Sequence, residues 1–128
     1  MMHILISMRR ILLDTSSIVF AFSNKLDIFA LVEERLDSRA VVSDGILAEL
    51  KKLSLRRNKE GNGARLALQV MQGHKVEALK NSQKVDDFLV KAGTEGEMLV
   101  CTNDIGVKRR LKSRGIRPLS VSRSGVLR

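Results

Sequence analysis

A chain of 128 residues with 44% apolar side chains has the length of one ordinary domain and can bury a core without disulfides or a structural metal. Its single cysteine, Cys101, excludes an internal disulfide; we expect a packed thiol and a reducing, cytoplasmic compartment. The net charge of +9 favours a polyanionic partner.

The excess positive charge is confined to two segments. Residues 51–65 carry six basic side chains against Glu60 alone, and residues 104–128 carry eight against Asp104 alone. Because phosphate contacts supply most non-specific nucleic-acid affinity, this pattern predicts phosphate-binding edges around a more acidic centre. The alternative is that both segments are solvated helix faces. With four Phe and no Trp or Tyr, base stacking is not expected to be a major source of affinity.

The elements follow in chain order from a short apolar stretch. Met1 to Met8 lacks a basic flank and the length to span a bilayer, so we expect an N-terminal extension, or residues upstream of a start at Met8, and no membrane association. Short apolar runs then alternate with segments of helical period, which indicates parallel strands joined by helices. The predicted strands are Arg10 to Leu13, Ala40 to Val42, Lys75 to Leu79, Met98 to Thr102 and Arg117 to Val121. The predicted helices are Ser16 to Ser23, Lys25 to Leu36, Asp44 to Arg56, Ala64 to Gln72, Val85 to Gly93 and Asp104 to Ser113.

Local chemistry marks several boundaries of these elements. Ser43 suits the N-cap of the third helix, and Gly93 and Gly115 are suited to end the fifth and sixth helices. Asn58 to Gly63 is predicted to be a basic, flexible loop, and residues 122–128 a basic C-terminal tail. With no repeat or linker, residues 1–128 are predicted to form a single domain.

Two carboxylates stand at the carboxyl ends of predicted strands, where ligands collect in an open parallel sheet. Asp14 follows Ile11-Leu12-Leu13, and Asp104 follows the run Leu99 to Asn103. Aspartate is also favoured as a helix N-cap or a turn residue, so position alone leaves both roles open.

Three further acidic residues lie in predicted helices. Glu49 is about 40° from Leu53 around its helix, at the border of the apolar stripe, which points its carboxylate toward the edge of the core. A surface Glu in a helix that it suits is the alternative. Asp86 and Asp87 begin the fifth helix, where the helix N-terminus by itself stabilises negative charge.

Gathering these carboxylates at one end of the sheet is costly through mutual repulsion, and a divalent cation is the usual compensation. An oxygen-only set suits Mg²⁺ or Mn²⁺, which polarise a phosphoryl oxygen and activate water. One Cys and two widely separated His residues leave no zinc-ligand spacing. Hydrolysis of a phosphodiester is the reaction that this chemistry serves most directly.

Four motifs, in this order along the chain, resemble those of the PIN domain family over the range Arg9 to Val121. They are Leu12-Leu13-Asp14-Thr15-Ser16, Ile46-Leu47-Ala48-Glu49-Leu50, Val85-Asp86-Asp87-Phe88-Leu89, and Cys101-Thr102-Asn103-Asp104 followed by Lys108-Arg109-Arg110-Leu111. The resemblance implies an α/β fold, a three-layer α/β/α sandwich with a mostly parallel sheet of four to five strands. The sequence is most similar to short archaeal PIN proteins related to the small-subunit rRNA-processing nucleases.

The resemblance also implies a site and an activity. Residues matching Asp14, Glu49, Asp86 and Asp104 form the catalytic set and bind Mg²⁺ or Mn²⁺ to cleave RNA. Asp87 is an alternative to Asp86 as a metal ligand, and Thr15 or Ser16 is the supporting hydroxyl. The basic residues expected to hold the RNA are Lys51, Lys52, Arg56, Arg57, Lys108, Arg109, Arg110, Lys112 and Arg114.

Two other roles are compatible with the same residues. One is a non-catalytic module that positions RNA or a ribosome-assembly partner: retention of all four acidic positions argues against it, and Gly106, where many family members carry another acidic residue, argues weakly for it. A toxin-type ribonuclease paired with an antitoxin would share the chemistry of the site. The family resemblance also implies a homodimer as a further partner state.

Overall fold

Four strands form one parallel sheet in the computed structural model, which describes residues 9–81 and 83–128. They are β1 (Arg9–Leu13), β2 (Ser38–Ser43), β3 (Glu77–Leu79) and β4 (Leu99–Cys101). Their order across the sheet is β3-β2-β1-β4, and every pairing is parallel. The predicted N-terminal extension, residues 1–8, lies outside the described residues.

Helices cover both faces of this sheet. Those in the described residues are α1 (Thr15–Ser23), α2 (Ile28–Arg35), α3 (Asp44–Leu53), α4 (Lys59–Met71), α5 (Val85–Glu95) and α6 (Ile105–Ser113). Crossovers between parallel strands are right-handed, so the steps from β1 to β2 to β3 lay α1 to α4 on one face, and the step back to β4 lays α5 on the other. In agreement, α1 packs against α4 and α5 against α6. The fold is a three-layer α/β/α sandwich, as predicted.

The central strands are covered on both sides, which is why they are continuous apolar runs instead of alternating ones. Ile11, Leu12 and Leu13 of β1 have no exposed surface. Cys101 of β4 is equally buried, and burial raises the pKa of its thiol to about 12. The thiol is therefore packed and protonated.

The turn before α2 shortens the predicted second helix. The Asp27 carboxylate accepts hydrogen bonds from the N–H groups of Phe29 and Ala30, so the helix begins at Ile28 instead of Lys25. α1 and α2 meet at an angle of 101°. Taken together they have the length and apolar composition of a membrane-crossing segment, whereas no single helix in the described part of the chain has both.

The predicted flexible loop from Asn58 to Gly63 is wrong, because the segment forms the start of α4. Asn58 caps the helix by accepting a hydrogen bond from the N–H of Gly61 at 2.8 Å. The glycines serve close packing: a Cβ at Gly61 would collide with the Arg56 carbonyl oxygen, and one at Gly63 would lie 2.6 Å from Ser23 Oγ.

The last two helices end differently from each other. α5 continues past Gly93 to Glu95, and Gly96 follows in the left-handed conformation, so the predicted stop at Gly93 is wrong. A Cβ at Gly93 would lie 2.9 Å from Leu111 Cδ2, so this glycine allows α5 to approach α6. Gly115, with φ of 75°, follows the end of α6 as predicted.

The predicted fifth strand, Arg117 to Val121, is reduced to isolated bridges. Leu119 pairs with Cys101 in parallel, and Val121 pairs with Leu127 in antiparallel orientation. The parallel ladder stops because both main-chain groups of Val121 bond to the side chain of Asn103. Residues 122–128, predicted to be a tail, fold back as a turn in which Ser120 and Arg128 exchange main-chain hydrogen bonds at 3.1 Å.

Candidate active site

A cleft of about 560 Å³ opens at the carboxyl edge of the sheet. It lies where the strand order reverses, since β1 leads to α1 on one face and β4 leads to α6 on the other, and open α/β sheets bind ligands at such points. Five acidic residues line it. Asp14, Glu49, Asp86 and Asp104 come from four separate segments, and the fifth, Glu60, lies in the first turn of α4. The structure thus brings together the set predicted to be catalytic.

Asp14 is the most enclosed of these carboxylates, with 5% of its surface exposed. Desolvation raises its pKa above the ordinary value of 3.8; hydrogen bonds from Thr102 and Ser16 oppose the shift, and the charge of Asp86 adds to it. Asp14 stands at the N-cap position of α1 but makes no side-chain capping hydrogen bond. Its carboxylate therefore does not cap α1.

Two hydroxyls hold Asp14 in place. Thr102 Oγ1 donates to Asp14 Oδ2 at 2.7 Å, and Ser16 Oγ donates to the same oxygen at 2.9 Å. Thr102 Oγ1 also accepts the N–H of Asp104 at 3.1 Å, and Ser16 Oγ accepts the N–H of Asn103 at 3.0 Å. This network joins the end of β1 to the segment after β4.

Glu49 reaches the cleft from α3. Its Oε1 accepts a hydrogen bond from Thr15 Oγ1 at 2.9 Å. The residue is exposed and lines the cleft beside half-buried Leu53, so its position at the border of the apolar stripe agrees with the helical phase. The two candidate hydroxyls thus serve different carboxylates: Thr15 holds Glu49, and Ser16 holds Asp14.

Asp104 combines the two roles that its position left open. Its Oδ1 accepts a hydrogen bond from the N–H of Val107 at 3.0 Å and caps α6. The residue is exposed and lines the cleft as well. One carboxylate therefore orients the start of α6 and contributes negative charge to the site.

Asp86 and Asp87, the acidic pair at the start of α5, lie on two different surfaces. Asp86 lines the cleft and contributes to the raised pKa of Asp14. Asp87 accepts a hydrogen bond from Arg110 Nη2 at 2.8 Å, on the surface between α5 and α6. Neighbouring residues of a helix point about 100° apart, so the two side chains face different ways. The structure does not bring Asp87 into the cleft, contrary to its inclusion among the predicted metal ligands.

The chemistry of the cleft suits a hard divalent cation. Within residues 9–81 and 83–128, no three His, Cys, Asp or Glu side chains converge closely enough to hold an ion together. Mg²⁺ does not require such a cage, because it keeps several waters and is bound through one or two carboxylates. The donors here are carboxylate oxygens, and the pKa of Asp14 is raised mainly because its carboxylate is buried, a cost that a bound cation would offset.

The nine basic residues predicted to hold RNA do not line the cleft. All except Lys108 are exposed on the outer surface, and Arg110 is paired with Asp87. Lys59, the first residue of α4, and Arg123, in the C-terminal turn, line the cleft instead. Sequence patterns miss both because they fall in segments predicted to be a loop and a tail.

Asn103 fixes the segment that carries Arg123. Its Nδ2 donates to the carbonyl oxygen of Val121 at 2.9 Å, and its Oδ1 accepts the N–H of Val121 at 3.0 Å. Val121 pairs in turn with Leu127, which closes the C-terminal turn. The residue before Asp104 therefore ties the end of the chain to the acidic cleft.

Comparison with known proteins places these features in a family. The model of a family described as PIN like domain matches residues 11–123. The chain belongs to the PIN-like domain family. Ribonuclease VapC9 of Archaeoglobus fulgidus is 31% identical to it over 104 residues, which are 80% of this chain and 76% of that protein.

Solved structures agree with the assignment to the PIN-like family. The PIN domain endonuclease Utp24 is 30% identical, with a TM-score of 0.70 over 88% of this chain and 85% of that chain. A PilT N-terminus domain protein from Sulfolobus solfataricus has a TM-score of 0.54 at 12% identity, over 87% and 86% of the two chains. At that identity the likeness shows the fold alone.

Several residues at the site of this PIN-like domain were not assigned a role from the sequence; among them are Lys59, Asn103 and Arg123 in the cleft lining and the buried Thr102, which bonds Asp14. Thr102 carried a usable signal, since a hydroxyl residue between a buried strand and Asp104 is placed to bond carboxylates on the neighbouring strand. The others carried none, because their roles depend on contacts between segments far apart in the chain.

Proposed function

We propose that this PIN-like domain is a divalent-metal-dependent endoribonuclease that hydrolyses RNA phosphodiesters. The observation that carries the proposal is the convergence of Asp14, Glu49, Asp86 and Asp104 on one cleft at the switch point of the sheet. A fold that served only to scaffold RNA would have no need of four repelling carboxylates there. The similarity to proteins named as a ribonuclease and a PIN domain endonuclease supports the same activity.

The residues of the chain have distinct tasks in this reaction. Mg²⁺ or Mn²⁺, when bound, supplies Lewis-acid stabilisation of the phosphoryl oxygens and an activated water. Asp14 would be the principal ligand, because Thr102 and Ser16 fix one of its oxygens in position. Glu49, held by Thr15, and Asp86 add negative charge from the two helical layers. Water forms the new bond to phosphorus and the 3′ oxygen leaves, so the products carry 5′-phosphate and 3′-hydroxyl ends.

Basic side chains at two distances from the cleft hold the RNA. Lys59 and Arg123 are placed to contact the phosphates nearest the scissile bond. The exposed basic side chains of α3 and α6 extend the contact along the backbone on the outer surface. The motif Thr102-Asn103-Asp104, which implied similarity to rRNA-processing nucleases, supports rRNA as the target over an antitoxin-regulated substrate.

Cleavage of end-labelled single-stranded and hairpin RNAs tests this function. The wild type should cut with Mg²⁺ or Mn²⁺ and not with EDTA, and Asp14→Asn and Asp86→Asn should each lose at least about 100-fold in rate, as expected for loss of transition-state stabilisation of this kind. Asp87→Asn is the matched control, because it makes the same change one residue outside the cleft, and it should retain activity. Cleavage that persists in EDTA, or equal loss in the two α5 variants, would contradict the proposal.

A further inference from the structure

The lining of the acidic cleft includes three apolar side chains. Val19 and Phe20 of α1 and Leu53 at the end of α3 line it, and we call these three residues the apolar wall. Phe20 and Leu53 are only half-buried, although both are large hydrophobic side chains. We propose that the apolar wall binds one unpaired nucleobase of the substrate, next to the scissile phosphate. The proposal rests on the proposed ribonuclease function and names the form of RNA that the site accepts.

The apolar wall continues directly from the carboxylates along α1. Positions four apart lie on the same face of a helix, so Phe20 follows Ser16 by one turn, and Val19 follows Thr15. Ser16 and Thr15 are the residues that hold Asp14 and Glu49. Four residues span about 6 Å along the helix axis. A single nucleotide bridges that separation, with its phosphate at the carboxylates and its base on Phe20.

Close packing of α4 fixes the opposite side of this part of the cleft. A Cβ at Gly63 would lie 2.6 Å from Ser23 Oγ and 3.1 Å from the carbonyl oxygen of Val19, so only glycine lets α4 approach α1 this closely. The approach brings Lys59 and Glu60 into the lining beside the apolar wall. The start of α4 therefore adds polar groups to the cleft lining beside the apolar wall.

The combination of charged and apolar side chains in the cleft favours a nucleotide as the ligand. Lys59 and Arg123 suit an anionic phosphate, and the carboxylates suit the cation that accompanies it. An aromatic ring beside aliphatic side chains suits the flat face of a base, and such stacking tolerates any base because each has a π face. A protein segment would use the apolar wall but would leave the phosphate-binding groups without a purpose.

Selection for unpaired RNA follows from this geometry. A base within a duplex is stacked on both faces and paired at its edge, so it reaches Phe20 only after the helix opens. A base in a single strand or a loop is available without that cost. We therefore expect cleavage in single-stranded regions and loops of structured RNA, and exclusion of continuous duplex.

A double-mutant cycle tests the proposal by combining the substitution Phe20→Leu in the protein with removal of one base from the RNA. Binding of a short single-stranded RNA is measured by fluorescence anisotropy in EDTA, so that no strand is cut, with one abasic nucleotide moved along the sequence. At one position, loss of the base should weaken binding by the wild type by about tenfold. Phe20→Leu should bind the intact RNA about tenfold more weakly and should show no further loss with the abasic strand.

Phe88→Leu is the matched control. Phe88 is also half-buried but lies on α5, outside this cleft, so its substitution removes the same ring without touching the apolar wall. That variant should retain the wild-type response to the abasic nucleotide. Thermal unfolding of both variants separates a loss of binding from a loss of folding.

The outcomes separate this proposal from the ribonuclease function. Suppose that the wild type binds and cuts RNA, but that each abasic position weakens binding by the wild type and by Phe20→Leu equally, or that duplex is cut as fast as single strand. Either result would show that the base subsite is wrong and would leave the proposed ribonuclease function intact. RNA binding that is unaffected by Phe20→Leu would also overturn the proposal and would indicate that the apolar wall binds a protein segment instead of a base. If the folded wild type neither binds nor cuts RNA, both proposals fail.

Discussion

Thr102 shows how a residue without ionisable groups supports an acidic site. It is fully buried, and its hydroxyl bonds both the carboxylate of Asp14 and the N–H of Asp104. Sequence alone marks Asp14 and Asp104 because they follow apolar strands, but it gives no measure of how the two strand ends are joined. That connection is made by side chains and depends on β1 and β4 being neighbours in the sheet.

Replacing Thr102 with valine should weaken both the fold and the site. The change removes one hydroxyl from a buried position, takes the hydrogen-bond acceptor from the N–H of Asp104 and leaves Asp14 with Ser16 as its hydroxyl donor, so we expect the free energy of unfolding to fall by about 1–3 kcal/mol. Urea denaturation measures this loss, and metal titration of cleavage should show a higher metal requirement. Thr94→Val is the control, because the Thr94 hydroxyl bonds only the Val90 carbonyl within α5 and lies far from the cleft. Equal effects of the two changes would contradict a special role for Thr102.

The burial of Asp14 predicts a conflict between stability and function. Desolvation raises its pKa above the unfolded value of 3.8, so the carboxyl favours folding only while protonated, and that contribution is lost as the pH rises through the folded pKa. In EDTA at neutral pH, Asp14→Asn should therefore be at least as stable as the wild type. The advantage should shrink as the pH is lowered toward the unfolded pKa, which thermal unfolding at several pH values measures.

Metal provides the second half of that test. A cation that binds only the folded state raises the unfolding temperature of the wild type by mass action, and Asp14→Asn should gain little from it. A variant that is less stable than the wild type in EDTA at neutral pH would show that burial of the charge is not the dominant effect.

At the scale of elements, the contact between α1 and α4 decides the shape of the cleft. The sequence pattern treats Gly61 and Gly63 as marks of a loop, because glycine is unfavourable inside a helix. In the structure both allow close approach, so Asn58 begins the helix where a loop was predicted. Sequence alone cannot distinguish a glycine that breaks a helix from one that permits contact with another.

Gly63→Ala should push α4 away from α1. The added Cβ would overlap Ser23 Oγ, so we expect the free energy of unfolding to fall by about 1–3 kcal/mol despite the better helix propensity of alanine. Cleavage should fall as well, because Lys59 and Glu60 move with α4. Gly73→Ala is the matched control: its Cβ would meet the Val70 carbonyl oxygen at an ordinary 3.6 Å. A Gly63→Ala variant as stable as Gly73→Ala would show that the contact can relax at no cost.

His74 joins the segment after α4 to α2. Its Nδ1 lies 2.8 Å from Glu33 Oε1, and its Nε2 lies 3.0 Å from Asp27 Oδ2, while Asp27 also caps α2. Burial alone would lower the pKa of His74, but the hydrogen bonds to Glu33 and Asp27 outweigh it and raise the pKa above 6.5. The charged imidazole therefore stabilises the packing of α2 against the end of α4.

The raised pKa of His74 gives a defined pH dependence. A histidine of this kind contributes its full stability below the unfolded pKa, and the contribution is lost as the pH rises through the folded pKa. The wild type should exceed His74→Gln in unfolding temperature most clearly below about pH 6, and the difference should shrink above the folded pKa. Calorimetry across this range measures it. A difference that grows with rising pH would contradict the assignment of a charged imidazole.

At the scale of the whole molecule, a strongly basic protein encloses an acidic cleft. The net charge of +9 lies mainly on exposed side chains, whereas the cleft gathers five carboxylates beside Lys59 and Arg123. Under the proposed function, long-range attraction of RNA and local binding of a cation would therefore involve different surfaces of the molecule. This separation lets a polyanion approach a site that would otherwise repel it.

RNA affinity should consequently fall steeply with salt. Each phosphate contact contributes about −0.7 to the slope of log affinity against log salt for a single strand. Arg123→Ala removes one phosphate contact and should therefore reduce the magnitude of that slope by about 0.7. Arg128→Ala, in the same turn but outside the cleft, should reduce it less. Filter binding or anisotropy over a salt series measures both. A flat response of the wild type would rule out an electrostatic grip on RNA.

The sequence by itself determined the α/β class, the order of the elements and the positions of Asp14 and Asp104. It could do so because these features depend on local periodicity and on the rule that parallel strands end at a common edge. Only the tertiary structure decided that Asp86 faces the cleft while Asp87 pairs with Arg110, and that Lys59 and Arg123 line it. Those outcomes depend on the rotation of each helix about its axis and on contacts between segments that are distant in the sequence. Patterns within one sequence do not report either of them.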